Sequence, residues 1–220
     1  MNINSKKGAQ IYTPLSLKIY DWWVLNISNT YAWQCKTRPV LMDHFQKFMG
    51  ENHMDIGVGT GFYLSHVSKK PKNVTLLDLN PNSLKAASER IAPLYAVRCI
   101  QHDVFMPIPE DLNNSFDSVS MFYLLHCLPG NMNAKESVIS NAASALKAAG
   151  TLYGATILGS GVTHNKFGSK LMNIYNSKGI FDNWQDSADD LRAILDAHFQ
   201  EVDVKVCATV ALFSATGKID

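Results

Sequence analysis

The feature that most constrains this chain is the eight-residue segment at 54–61. Asp55 lies at the end of a short apolar strand, and Gly57, Gly59 and Gly61 follow at alternate positions. Glycine has no Cβ, so it lets the chain turn sharply and brings bare backbone close to a ligand. Residues that can open a helix come directly after the last glycine. A strand, a glycine turn and a helix in this order predict the first unit of an open α/β sheet, whose strand ends bind ligands.

The glycine spacing narrows the class of ligand. A dinucleotide site requires G-x-G-x-x-G, whose last glycine supports a helix N-terminus directed at a pyrophosphate. Phe62 stands where that third glycine would be. An acid before G-x-G-x-G instead resembles motif I of the class I S-adenosylmethionine (SAM)-dependent methyltransferases.

Two further strands that end in an acid follow in the order of that family. Residues 73–78 predict a buried second strand that ends in Asp78. Asp78 lies about 20 residues past the first glycine, where an acid can accept hydrogen bonds from both ribose hydroxyls. Residues 95–103 predict a third strand that ends in Asp103. In the methyltransferase family, the acid at this place receives the adenine amino group.

The resemblance extends to the rest of the sheet. Residues 115–129 resemble the family's fourth-strand segment, and residues 149–153 resemble its fifth. Between the strands, helices are predicted over residues 61–69, 81–91 and 133–148. Two closely spaced strands at 201–206 and 209–215 predict a hairpin. The chain is identified as a member of the family, most strongly over residues 54–156. The resemblance implies a Rossmann-like α/β fold with seven strands, mostly parallel, a C-terminal antiparallel hairpin and an N-terminal helical cap.

The resemblance also implies SAM as the cofactor and S-adenosylhomocysteine (SAH) as its product. SAM has an amino group, a sulfonium and two ribose hydroxyls but no phosphate, and no lysine follows the glycines. Asp55 suits the amino group, and Asp78 suits the ribose. Asp55 could instead bind only backbone amides of the turn, Asp78 could only cap a helix, and the third strand could end away from Asp103. The predicted cofactor-binding residues are Tyr20, Trp33, Asp55, Gly57, Gly59, Gly61, Asp78, Leu79, Asn80, Asp103, Val104 and Phe122.

Residues 1–50 are unusually rich in aromatic side chains. We expect them to form a helical cap before a SAM-binding core at 51–220. A ring face near the sulfonium contributes about 0.5–2 kcal/mol, and Tyr20 and Trp33 are the first choices for that contact. The alternative is that these rings only pack helices onto the sheet.

A long connection follows the fifth strand. Residues 157–186 contain a segment with helical apolar spacing at Phe167, Leu171 and Ile174. Loops of this length inside a compact domain are usually functional, so we predict a substrate lid here. A surface helix without ligand contact is an equally open alternative.

His126 is a weak candidate for a general base, because it ends the predicted fourth strand. The family pattern has histidine at this place for different acceptors, so a structural role is equally open. Tyr12, Tyr123, His164 and Tyr175, together with Tyr20, are further candidates that the sequence does not rank. Alignment of donor and acceptor supplies much of the acceleration in such a reaction, which lowers the need for a base.

Composition excludes several classes of function. A net charge of +1 gives no electrostatic case for nucleic acid or for an anionic membrane. No apolar run is long enough for a membrane span, and the first residues lack the apolar core of a signal peptide. Four cysteines without C-x-x-C spacing indicate reduced thiols in the cytoplasm, and the histidines show no metal-ligand pairing.

The sequence therefore predicts a cytoplasmic SAM-dependent methyltransferase of a small, aromatic or partly apolar metabolite, with O-methylation favoured. One alternative is a SAM-binding cyclase or isomerase that retains the methyl group. Another is a catalytically silent SAM-binding partner. The cofactor pocket would be the same in all three, and the oligomeric state stays open.

Overall fold

Seven strands form one sheet in residues 21–219, the part of the chain that this computed structural model describes. The strands are β1 (Asn52–Ile56), β2 (Asn73–Asp78), β3 (Ala96–Gln101), β4 (Phe116–Phe122), β5 (Leu146–Ile157), β6 (Phe199–Cys207) and β7 (Val210–Lys218). Their spatial order is β3-β2-β1-β4-β5-β7-β6. The first five pair in parallel, whereas β7 is antiparallel to both β5 and β6. This confirms the predicted Rossmann-like sheet and its C-terminal hairpin.

Burial along the strands follows from their places in the sheet. The central strands β1, β2 and β4 are almost continuously buried, as parallel strands covered on both faces are. The edge strands β3 and β6 expose most of their residues. Arg98, which interrupts the apolar pattern of β3, therefore reaches outward and forms an ion pair with Asp111 at 2.6 Å.

Six α-helices cover the sheet in the described residues. They are α1 (Met42–Phe48), α2 (Phe62–His66), α3 (Pro81–Ile91), α4 (Glu136–Ala145), α5 (Lys166–Ser177) and α6 (Ala188–Asp196). Helix α3 has the predicted bounds because the Asn80 side chain accepts the Asn82 amide and Pro81 opens the first turn. Side chains cap α5 and α6 in the same way, from Asn165 and Ser187.

Two predicted helices are shorter in the structure. Helix α2 was expected to reach residue 69, but it ends at His66 and the Ser68 amide donates to Gln46 Oε1 at 2.9 Å. Pro71 also disfavours continuation of this helix. Helix α4 was expected over 133–148. A 3₁₀ turn at Met132–Lys135 precedes it, and Leu146 already pairs with Phe116 as part of β5.

The described part of the N-terminal segment is helical. A wide π-type helix covers Asp21–Ala32, and a second wide turn at Thr37–Leu41 leads into α1. Helix α1 carries Phe45, which is fully buried and whose ring stacks on Tyr63 at 5.2 Å. We therefore assign α1 to the core layer on the sheet. The predicted boundary between cap and core at residue 50 stays a prediction.

The connection after β5 contacts the N-terminal segment directly. Trp23 Nε1 donates to the Tyr175 hydroxyl at 3.0 Å, and Asn165 Nδ2 donates to the Tyr31 carbonyl at 2.8 Å. A Cβ at Gly168 would lie 2.8 Å from the Ala32 carbonyl oxygen, so this position needs glycine for the close approach. Helix α5 and the π-type helix therefore form one continuous cover, which we call the helical cover.

A buried ion pair anchors the chain beyond α5. Lys135 Nζ lies 2.6 Å from Asp186 Oδ2, and both side chains are fully buried. Lys135 also donates to the Asp182 carbonyl at 2.9 Å. Burial raises the pKa of Asp186, and the charge of Lys135 opposes that rise. The pair joins the segment after α5 to the turn that precedes α4.

Candidate cofactor site

The glycine turn lies between β1 and α2 and has a backbone that other residues rarely adopt. The φ angles of Gly57, Gly59 and Gly61 are 75°, 52° and 69°, all in the left-handed region. A Cβ at Gly57 would also lie 2.9 Å from the Leu124 side chain, and one at Gly61 would lie 3.1 Å from the Ala87 backbone. The backbone conformation therefore favours glycine at all three positions, and close packing adds to this at Gly57 and Gly61.

Asp78 holds the glycine turn in place. Its Oδ2 accepts the Val58 amide at 3.0 Å, and its Oδ1 accepts the Asn80 amide at 2.8 Å. Asp78 thus binds amides of the turn, which was the alternative role considered for Asp55. Hydrogen bonding to the Leu79 and Gly59 amides also opposes the rise in the pKa of Asp78 that burial causes. Asp78 therefore organises both the glycine turn and the residues that follow β2.

Asp55 lies at the end of β1 and is only 7% exposed. The Ser120 hydroxyl donates to its Oδ1. Burial raises the pKa of Asp55 to about 7, against the Ser120 hydrogen bond, and the charge of Asp78 adds to the rise. Burial also raises the pKa of Asp78 to about 6, against the hydrogen bonds from backbone amides. Two neighbouring buried carboxylates favour a cationic ligand, because a positive charge relieves their repulsion.

A small cavity lies against the turn and has a volume of about 30 Å³. It is lined by Leu25, Asp55, Gly57, Val58, Gly59, Thr60, Phe62, Tyr63, Phe122 and Tyr123. A cavity of this size holds about one water molecule, whereas ligand pockets measure about 300–1,000 Å³. Leu25 belongs to the π-type helix. The described conformation is therefore closed over the glycine turn.

Polar contacts fasten the start of the π-type helix to the turn. Asp21 Oδ2 lies 2.6 Å from Arg90 Nη2, and Asp21 Oδ1 accepts from the Thr60 hydroxyl at 2.5 Å. Arg90 Nη1 also donates to Thr60 Oγ1 at 2.9 Å. We call this group, Asp21, Thr60 and Arg90, the latch. It joins the helical cover to the glycine turn and to α3.

The structure brings most of the predicted cofactor residues together. Asp55, Gly57, Gly59 and Phe122 line the cavity, and Gly61 completes the turn. Three further predicted cofactor-binding residues lie at this edge of the sheet. They are Asp78, Leu79 and Asn80, which follow one another at the end of β2.

Asp103 and Val104 do not line this cavity. Asp103 Oδ1 accepts the Phe105 amide at 3.1 Å, and the Val104 carbonyl accepts Asn141 Nδ2 at 2.9 Å. Both residues follow the end of β3, where an adenine-binding segment is expected from the resemblance. Their role in binding stays a prediction.

Trp33 lies away from the cavity. It is buried, and its ring centroid lies 6.0 Å from that of His164 and 6.1 Å from that of Phe181. This placement favours the alternative that the ring packs the helical cover. Tyr20 and Tyr12 lie outside the described residues.

His126 is buried among other groups. Its Nδ1 lies 3.3 Å from Thr156 Oγ1 and 3.3 Å from the Ile157 amide nitrogen, which donates to it. Its ring centroid is 4.4 Å from that of Phe181. Burial lowers the pKa of His126 to about 3, so the ring is neutral. This geometry favours the structural alternative over the role of a base.

Among the other candidate bases, Tyr123 is the one that lines the cavity. Its φ angle is 60°, which is unusual for a residue other than glycine. Such strain is concentrated at functional sites. Tyr175 accepts from Trp23 within the helical cover, and His164 Nε2 lies 2.9 Å from the Leu158 carbonyl oxygen, so both side chains have hydrogen-bond partners.

Sequence reasoning missed several residues at the site. The cavity wall includes Leu25 and Tyr63, and the latch contains Asp21 and Arg90. The sequence could have indicated Thr60, since it lies between two glycines of the turn. It does not indicate the other four residues, because their contacts depend on how distant segments pack.

Two structural findings concern other classes of site. No group of three or more metal-ligating side chains occurs within residues 21–219. In that same range, none of the helices has the length and apolar character needed to span a bilayer.

Known proteins provide an independent comparison. Residues 54–152 match a family described as a methyltransferase domain. YbcY of Escherichia coli (strain K12) is 56% identical over 194 residues, which cover 88% of this chain and 100% of that protein. The physcion biosynthesis cluster O-methyltransferase of Aspergillus chevalieri is 42% identical over 212 residues, covering 96% and 95%. The structure of DhpI with SAH has a TM-score of 0.71 at 15% identity, covering 97% of this chain and 96% of that one.

With the glycine turn and its two acids in place, the family match and the Aspergillus chevalieri relative show that the chain belongs to the SAM-dependent methyltransferase family. The predicted family, enzyme class and cofactor are confirmed. The site fits SAM because the buried Asp55 carboxylate lines the cavity beside a glycine turn that lets the backbone approach a ligand, and the half-buried Asp78 carboxylate holds that turn.

The turn generates a first prediction. Gly59→Ala forces a side chain into a left-handed backbone at the cavity wall, so SAH affinity should fall about tenfold or more. Gly217→Ala is the control, because Gly217 has a φ of 67° but lies at the far end of β7, beyond the Thr151–Thr216 pair. Calorimetric titration with SAH should separate the two variants. Equal affinities in both would show that the glycines only connect β1 to α2.

Proposed function

We propose that this enzyme methylates an oxygen atom of a small, aromatic or partly apolar metabolite. The observation that carries the cofactor half of this proposal is the pair of carboxylates at the glycine turn, the buried Asp55 and the half-buried Asp78. The aromatic surface beside them supports the acceptor half. The name of the Aspergillus chevalieri relative, an O-methyltransferase, supports oxygen as the acceptor atom.

We assign the cofactor contacts by chemistry. Asp55 accepts from the amino group of SAM, and Asp78 accepts from the ribose hydroxyls. Leu79 and Asn80 border the ribose, and Asp103 and Val104 receive the adenine. When bound, SAM supplies a methyl group activated by the sulfonium.

The aromatic residues of the cavity exclude water from the reacting groups. Phe122 and Tyr63 have ring centroids 4.8 Å apart, and Tyr123 follows Phe122 at the end of β4. Rings beside a cation are attractive as well as apolar. We place the methyl acceptor next to Tyr123, because its strained backbone presents this residue at the cavity. Orientation of donor and acceptor, rather than proton removal, then supplies most of the acceleration.

The helical cover acts as the gate of this site. SAM is far larger than the cavity of about 30 Å³, so Leu25 must move for the cofactor to enter. The latch is partly exposed, with 36% of the Arg90 side chain and 21% of the Asp21 side chain accessible. An exposed ion pair contributes only about 0–1 kcal/mol. The latch can therefore open without unfolding the sheet.

We also propose a cytoplasmic location and no nucleic-acid partner. The four cysteines, Cys35, Cys99, Cys127 and Cys207, form no disulfide, as expected for a reducing compartment. The net charge of +1 offers no attraction to a phosphate backbone.

Gating predicts a change in amide hydrogen exchange. SAH should slow exchange across residues 21–33 more than across the central strands, because closure is coupled to ligand binding. Asp21→Asn, which removes the charge from the latch, should speed exchange in the same segment without SAH. The strands β1 and β4 serve as the internal control. If SAH does not change amide exchange across residues 21–33, the helical cover is a structural layer and not a gate.

Methyl transfer itself is tested with SAM labelled in its methyl group. Hydroxylated aromatic compounds should acquire the label on oxygen, whereas matched aromatic amines should not. Mass spectrometry of the products locates the label. Label on nitrogen or carbon would contradict O-methylation. Conversion that requires SAM but transfers no label would favour a cyclase or isomerase.

A further inference from the structure

A row of buried polar side chains lies beneath the cofactor site. His53 and Asp55 are on β1, and Ser118 and Ser120 are on β4. The strand register pairs His53 with Ser118 and Asp55 with Ser120, so alternate residues of the two strands share one face of the sheet. His53, Ser118 and Ser120 are all 0% exposed. Buried polar groups in the middle of a sheet are costly unless each one has a partner.

These groups form an unbroken chain of hydrogen bonds. The Gly50 amide donates to Ser118 Oγ at 2.8 Å, and His53 Nδ1 lies 2.8 Å from the same oxygen. His53 Nε2 lies 3.1 Å from Ser120 Oγ, and Ser120 donates to Asp55. The chain thus runs from the beginning of β1 to the acid in the cofactor cavity.

The number of protons on each group decides which atoms donate and which accept along this row of hydrogen bonds. Ser120 uses its single proton on Asp55, so its oxygen accepts from His53 Nε2–H. A neutral imidazole with its proton on Nε2 has a lone pair on Nδ1, which accepts from the Ser118 hydroxyl. Burial lowers the pKa of His53 to about 3, which keeps the ring neutral. All the dipoles therefore point toward Asp55 and stabilise its negative charge.

The other groups around Asp55 supply no positive charge. The carboxylate of Asp78 lies on one side and raises the pKa of Asp55. The buried phenol of Tyr153, from β5, interacts with Asp55 and also with the Ser120 side chain, and burial is the main reason that the pKa of Tyr153 is raised. The ring of His53 packs against Phe45 and Tyr153, with centroids 5.7 Å and 6.1 Å away. Among these described groups, Ser120 and the histidine behind it are the ones that favour the ionised acid.

We propose that Ser120 and His53 are positioning residues that hold Asp55 ionised and directed at the cavity, and so set the pH range in which the cofactor binds. This rests on the proposed function, in which Asp55 accepts from the amino group of SAM. Neither residue touches the cofactor; both act through Asp55.

The expected pH dependence follows from linkage. A cationic amino group binds ionised Asp55, whose pKa is about 7 in the free protein. Affinity should therefore fall as the pH drops below that pKa, because the acid must then lose a proton to bind the ligand. A hydrogen bond to the charged form lowers a pKa. Removing the Ser120 hydroxyl should raise the pKa of Asp55 and move the binding midpoint to higher pH.

The experiment is a calorimetric titration with SAH over the pH range around the pKa of Asp55. Ser120→Ala should move the midpoint of affinity upward by about one pH unit, since it removes one charge-assisted hydrogen bond. His53→Phe should move it in the same direction by less, because it acts through Ser120. Ser118→Ala is the matched variant: it removes a hydroxyl from the same buried strand, but one that does not touch Asp55, and should shift the midpoint least.

The outcomes separate this proposal from the proposed function. Wild-type affinity that does not depend on pH in this range would contradict the assignment of Asp55 to the amino group. A pH-dependent wild type with an unshifted midpoint in Ser120→Ala would overturn only the positioning role. If Ser120→Ala is too unstable to titrate, the midpoint of His53→Phe decides in the same way. Equal shifts in Ser120→Ala and Ser118→Ala would also overturn it, because a general loss of packing would then account for both.

Discussion

The hydrogen bond from the Val58 amide to Asp78 is the interaction on which the site depends. It joins the turn after β1 to the end of β2, two segments that are 20 residues apart. Three left-handed glycines make that turn flexible in isolation, because glycine has the largest conformational freedom of all residues. The same carboxylate also accepts the Asn80 amide that precedes α3. One acid therefore shapes the backbone of the turn and of the segment that leads into α3.

Removing two carboxylates from water has a free-energy cost, and the polar groups below the glycine turn offset part of it. Loss of contact with water raises the pKa of both Asp55 and Asp78. Hydrogen bonds from Ser120 to one acid and from backbone amides to the other offset that cost. A cationic cofactor completes the charge balance. The glycine turn, the two acids and the row from Ser118 to Ser120 thus act as one electrostatic unit, and the helical cover controls access to it.

Much of the fold could be predicted because local signals agree with the tertiary structure. Strand β2 and helix α3 have the predicted bounds, since a buried apolar run leads into an Asn-Pro helix start. The acids and glycines of the turn were recognised from their spacing and from the resemblance to the methyltransferase family. The row from His53 to Ser120 was not, because its contacts depend on a strand pairing between residues about 65 positions apart. The placement of Trp33 and the joining of α5 to the π-type helix also depend on long-range packing.

The role of Asp78 is tested most directly by the affinity of SAH for the wild type and for Asp78→Ala. Binding should weaken by about ten- to a hundredfold in the variant, because ribose hydroxyls lose their acceptor at a cost of about 1–3 kcal/mol. Asp111→Ala, which removes an exposed acid paired with Arg98, should bind SAH as the wild type does. NAD should not bind to any of the three proteins. Unchanged SAH affinity in Asp78→Ala, or measurable binding of NAD, would contradict the account.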